Sequence, residues 1–97
     1  MSLPQWALDA GADPEIGWEC VRDARFIQVS IAGMFGDNHH FEVEQDLEFD
    51  SSSGPIDTWW LWLSVEKDSN LLNFAFPSPA HAIKAAEGLI RALRGDE

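Results

Sequence analysis

The sequence predicts a two-layer α+β domain: an antiparallel sheet of four to five strands packed against a C-terminal amphipathic helix, with a short N-terminal helix. Three observations predict it. Phe41-Glu42-Val43-Glu44-Gln45-Asp46-Leu47-Glu48-Phe49-Asp50 alternates with a period of two, apolar residues on one side and carboxylates on the other, with Gln45 the single polar entry on the apolar side. That period belongs to a half-buried strand. Thr58 to Glu66 alternates again, Trp59, Leu61, Leu63 and Val65 against Trp60, Trp62 and Ser64. From Ser78 onward the period becomes helical, with Ala82, Ile83, Ala86, Leu89, Ile90 and Leu93 on one stripe.

The remaining elements follow from local signals. Leu3 to Ala10 suggests the opening helix, with Ser2 as its N-cap and Gly11 just past its end. Gly11 to Gly17, with Pro14, reads as a loop, and Trp18 to Val21 as a short strand. Arg25 to Ala32 is a firmer strand, Ile27, Val29 and Ile31 alternating with Gln28, Ser30 and Ala32. Gly33 to Asn38 connects it to the acidic strand, which starts at His39 or His40. Ser51-Ser52-Ser53-Gly54-Pro55 reads as a loop, and Lys67-Asp68-Ser69-Asn70 as the turn of a hairpin whose second strand is Leu71 to Phe76. Ser78 caps the last helix, Pro79 takes its first position, Arg91 and Arg94 suit its C-terminal dipole, and Gly95 stops it.

Ninety-seven residues make a single domain spanning 1–97, with a 45% hydrophobic share suited to one core. The charge is the unusual quantity: 17 acidic against 6 basic residues, a formal net charge of −11. Such a chain is repelled by nucleic acid and by anionic membranes, and is attracted to basic surfaces. Cys20 stands alone, which excludes an intramolecular disulfide and a thiolate cluster, and it reads as a buried, inert thiol. No apolar run approaches the ~18–20 residues of a membrane span. No basic region precedes an apolar core at the N-terminus, so a cytoplasmic location is expected.

Signs of catalysis are lacking. The glycines form neither G-x-G-x-x-G nor P-loop spacing, and no protease signature surrounds Cys20. Asp37, His39 and His40 are the one candidate metal cluster, but adjacent strand residues point to opposite faces, so no metal site is expected. His81 falls in the first turn of the last helix and is expected at the surface. Acid–base carboxylates need one member in an apolar pocket, whereas the acidic strand offers many alike. We expect no catalytic residue and no cofactor.

Binding is the better fit. The candidate partner-binding residues are Glu42, Glu44, Asp46, Glu48 and Asp50, joined by Trp60 and Trp62. Same-face neighbours on a strand are ~6.8 Å apart, close to the separation of charges along one strand of an extended nucleic acid. Asp37, Asp57, Glu66 and Asp68 extend the negative surface. Aromatics beside a charged rim commonly anchor protein interfaces. Two plainer assignments stand beside this one. The carboxylates also suit the solvated face of an outer strand. Trp60 and Trp62 also suit a core position, either with Trp59 outward or beneath an N-terminal helix that uses Trp6. Stacking of nucleobases on these rings is disfavoured by the net charge.

In size and acidity the chain resembles the small inhibitors that phages and bacteria direct against nucleic-acid enzymes. These include anti-CRISPR and anti-restriction proteins that imitate DNA, and immunity proteins that neutralise nuclease toxins. The resemblance is one of composition and attaches to no residue motif. It implies a non-catalytic inhibitor that binds the basic nucleic-acid site of a target protein. One alternative is an immunity or antitoxin protein acting through the Trp-rich face. Another is a small-ligand or metal-binding domain using His39, His40 and nearby carboxylates. The expected partner is a protein with a basic surface, with no direct nucleic acid and no membrane. A homodimer through the tryptophan face is a further expectation.

Overall fold

The computed structural model describes residues 3–20, 24–32, 38–50, 54–65 and 71–95, with backbone alone for 46–50 and 54–57. In chain order these form helix α1 (Gln5–Asp9), a 3-10 turn (Pro14–Ile16), strands β1 (Phe26–Ala32), β2 (Asn38–Asp50), β3 (Gly54–Val65) and β4 (Leu71–Phe76), and helix α2 (Pro79–Arg94). The sheet runs in simple sequence order, β1-β2-β3-β4, and every neighbouring pair is antiparallel. With α2 laid against β2, β3 and β4, the predicted α+β two-layer arrangement is what forms.

The register explains which side of each strand is buried. Ile27, Val43, Leu61 and Phe74 stand opposite one another across the sheet, as do Val29, Phe41, Leu63 and Leu72. Directly paired residues share a face, so this is one continuous apolar surface. Ala82, Ile83, Ala86 and Ile90 of α2 pack against it, and Trp59 joins the same core. Helix α2 begins and ends as predicted: the Ser78 hydroxyl accepts the His81 N–H at 3.2 Å, and Gly95 closes the helix at φ +80°, where only glycine is unstrained.

Several boundaries differ from expectation. The opening helix is one short turn whose N-cap is Pro4; the expected cap, Ser2, lies outside the described residues. Of the strand expected over Trp18 to Val21, the described residues Trp18 to Cys20 form none, and Val21 lies outside the described residues. Instead Glu19 makes an isolated bridge with Gln28, exchanging two backbone hydrogen bonds of 2.8 Å. Among the described residues the sheet has four strands. Pro14, read as loop, starts a 3-10 turn whose N-cap is Asp13, the side chain accepting the Glu15 N–H at 2.9 Å. Gly54 and Pro55 belong to β3 rather than to a loop, because their backbone pairs with Asp50 and Phe49. The expected connections at 33–37 and 67–70, like Ser51 to Ser53, lie outside the described residues.

The long segment between α1 and β1 is tied to α2 by a buried carboxylate that periodicity did not foretell. Glu87 lies inside, and its Oε2 accepts the Asp13 backbone N–H at 2.8 Å and the Trp18 indole N–H at 2.9 Å. Arg91 donates to Asp13 Oδ2 at 2.9 Å and approaches Glu87 Oε1 at 3.5 Å, while Arg94 donates to the Ile16 carbonyl at 3.0 Å. A buried carboxylate is tolerated when donors meet it in this way. Cys20, expected to be buried, is half-buried at the core margin, because the chain there runs along the outer edge of β1.

Candidate partner-binding face

Both helices lie on one side of the sheet, α2 on β2–β4 and α1 through a Trp6–Trp59 ring contact of 4.6 Å. Among the described residues no helix or strand covers the other side. Its positions are Gln28 and Ser30 of β1, His40, Glu42 and Glu44 of β2, Trp60, Trp62 and Ser64 of β3, and Asn73 of β4. The two uncommon features of the sequence therefore meet. Glu42 is paired with Trp62, and Glu44 with Trp60.

The side chains are organised rather than splayed. Trp62 Nε1 donates to Glu44 Oε1 at 2.9 Å, and the Trp60 and Trp62 rings lie 5.8 Å apart. His40 Nδ1 meets the Ser30 hydroxyl at 2.7 Å and its Nε2 meets Glu42 Oε1 at 2.9 Å. Trp60, Trp62, Glu42 and Glu44 are all half-buried, so each ring keeps surface open to solvent beside a carboxylate. The assignment of Trp59 to the core and Trp60 and Trp62 to the outer side is thereby decided.

The acidic run divides in two. Among the described residues the β1–β2 ladder runs to Glu44, with the Gln45 N–H donating to the Arg25 carbonyl just beyond it, and the β3–β4 ladder begins at Trp59. Glu42 and Glu44 thus sit on the four-stranded body. Asp46, Glu48 and Asp50 belong to a stretch where, among the described residues, β2 is paired with β3, opposite Thr58, Ile56 and Gly54. Side chains at 46, 48, 50 and 57, and residues 37, 66 and 68, lie outside what is described.

Sequence reasoning missed His40, Ser30 and Phe26 as members of this face. His40 and Ser30 were findable once Glu42 was placed, since strand residues two apart share a side. Phe26 is paired with Glu44 on the outer side, yet is buried and stands apart from the main core. His39 and His40 take opposite faces: His39 pairs with Ile31 and Val65 on the helix side, and its buried Nδ1 has no hydrogen-bond partner. Among the described residues no three His, Cys, Asp or Glu side chains gather as a metal site. Ser30, His40 and Glu42 have the connectivity of a nucleophile, base and orienting carboxylate. The N–H groups of the described strands, however, lie in the sheet plane and do not point above Ser30 toward an oxyanion.

The class defined by this fold and face is a two-layer α+β domain with an open, acidic and aromatic sheet surface. Comparison with protein-family models, with curated proteins and with solved structures found no match to this chain. Among the described residues no helix is long and apolar enough to cross a membrane.

Proposed function

We propose that this domain is a non-catalytic inhibitor whose open sheet face docks on the basic nucleic-acid site of a partner protein. The observation that carries the reading is the pairing of Glu42 with Trp62 and Glu44 with Trp60 on a face that no helix covers among the described residues. Carboxylates on a chain of net charge −11 attract a basic surface over distance and speed encounter. The two indole rings then supply the desolvated anchor that charge alone lacks. Inhibition is stoichiometric and steric, and a cytoplasmic site of action belongs to the same reading.

The test is a pull-down from lysate of the source organism, eluted first with rising salt and then with nucleic acid. A nucleic-acid enzyme released by both supports the proposal. A partner indifferent to salt and to competing nucleic acid overturns it. That outcome favours the second reading, an immunity-type interface through the tryptophans, for which the Trp60–Trp62 ring contact speaks. Glu42→Gln with Glu44→Gln separates the two readings from Trp60→Ala with Trp62→Ala, according to which pair abolishes capture.

A further inference from the structure

The two edges of the sheet are treated differently. The outer edge of β1 is occupied where Glu19 bridges to Gln28. The outer edge of β4 is unpaired among the described residues. Natural edge strands are usually blunted by charge, proline or a covering segment. Strand β4 reads Leu-Leu-Asn-Phe-Ala-Phe, with neither a charge nor a proline. It also concentrates exposed apolar surface: Leu71 and Leu72 are each 55% exposed and Phe74 47%. Leu72 and Phe74 point to the helix side, being paired with Leu63 and Leu61, yet α2 leaves them half uncovered. Leu89 of α2, 43% exposed, lies about 160° around the helix from Glu87, on the flank away from the N-terminal segment.

We infer that β4 is the self-association edge of this protein, pairing antiparallel with β4 of a second copy so that two four-stranded sheets become one. Charge selects the occupant. A basic partner gains nothing at an uncharged strand, whereas a second copy of this acidic chain meets no like charge on the strand itself. Five strand spacings of ~4.8 Å separate β2 from β2 of the partner copy, about 24 Å. That is well beyond the ~8 Å screening length at physiological ionic strength.

Register follows from the pleat. A two-fold axis perpendicular to the sheet keeps helix-side residues on the helix side, so only positions of equal parity can face each other. Centring the axis on Asn73 sets Leu72 against the second copy's Phe74 and Leu71 against its Ala75. All three most exposed apolar residues of β4 are then covered. Centring it on Phe74 leaves Leu71 without an opposite residue. The pairing stands on the β4 edge alone and is independent of the function proposed above. If both hold, the two acidic faces lie on the same side of one sheet.

Sedimentation equilibrium of the intact chain, from micromolar to millimolar concentration, tests this. The mass is expected to rise toward twice 10.8 kDa, and added salt should strengthen or leave unchanged the association, opposite to its effect on a basic partner. Leu72→Lys with Phe74→Lys should give a monomer, and Trp60→Ala with Trp62→Ala should leave the dimer intact. Should the lysine variant fail to fold, amide exchange of the unmodified protein at residues 71–76 should slow as its concentration rises. A mass of one chain at all concentrations overturns the inference. So does a dimer whose amides at 71–76 gain no protection, or one lost only when the tryptophans are replaced.

Discussion

The Trp62 indole N–H donates to the Glu44 carboxylate at 2.9 Å across the β2–β3 ladder, so the acidic and aromatic halves of the open face form one structure. The contact has two consequences that can be told apart. It fixes the orientation of a half-buried ring, and it leaves the second carboxylate oxygen of Glu44 to meet a cation. Glu44→Gln retains an acceptor for the indole while removing the charge. We expect stability within about 1 kcal/mol of the unmodified protein by urea denaturation, together with slower association to a basic partner.

Charge and anchor should separate kinetically. Glu42→Gln with Glu44→Gln should lower the on-rate and flatten its dependence on salt. Trp62→Ala should act on the off-rate, weakening a complex by about 2 kcal/mol, roughly thirtyfold. Surface plasmon resonance at two ionic strengths reads both. An unchanged salt dependence in the double carboxylate variant would remove the electrostatic part of the proposal.

Glu87 is expected to be the most sensitive polar position described. Glu87→Ala strands the buried Trp18 indole N–H and the Asp13 N–H without their acceptor. Leaving these two donors unsatisfied should cost about 3 kcal/mol. Urea unfolding measures it, and a loss below about 1 kcal/mol would show that water replaces the carboxylate.

Asp13 carries an acid sensitivity of definite sign. The Glu15 backbone N–H, and after it the Arg91 guanidinium, hold its carboxyl below the ordinary 3.8. A carboxyl lowered in the folded state stabilises fully above its unfolded value, and that contribution is lost as pH falls through the folded value. Asp13→Asn should therefore be less stable than the unmodified protein at neutral pH, with the difference shrinking below about pH 4. Thermal unfolding across that range checks it; a constant difference would assign the effect to packing.

Much of the fold was legible because two signals are local. Alternation over 41–50 reports a pleated strand, and Ser78-Pro79 with Gly95 reports the two ends of a helix, whatever lies around them. The helical stripe was less reliable at its margin. Leu89 belongs to it by period yet stays exposed, whereas Glu87 interrupts it by chemistry yet is buried. A helix accepts a carboxylate inside when another segment supplies donors, and those donors come from Asp13 and Trp18, far away in sequence.

By itself, the sequence determined that this chain alternates as strands, ends in a capped helix and carries its carboxylates on one side of β2. Which side of β3 faces the core was beyond it, because Trp59, Leu61 and Leu63 and the opposite pair Trp60 and Trp62 are both apolar. The tertiary structure decided that through register: Val43 and Phe41 must lie beneath α2, and their partners Leu61 and Leu63 follow them there. Among the described residues it also placed Glu42 and Glu44 where all four strands are paired, and Asp46, Glu48 and Asp50 beyond the β1 and β4 ladders. Side-chain period is a property of one strand; the choice of face, and the number of strands behind it, depends on which partners the chain brings alongside.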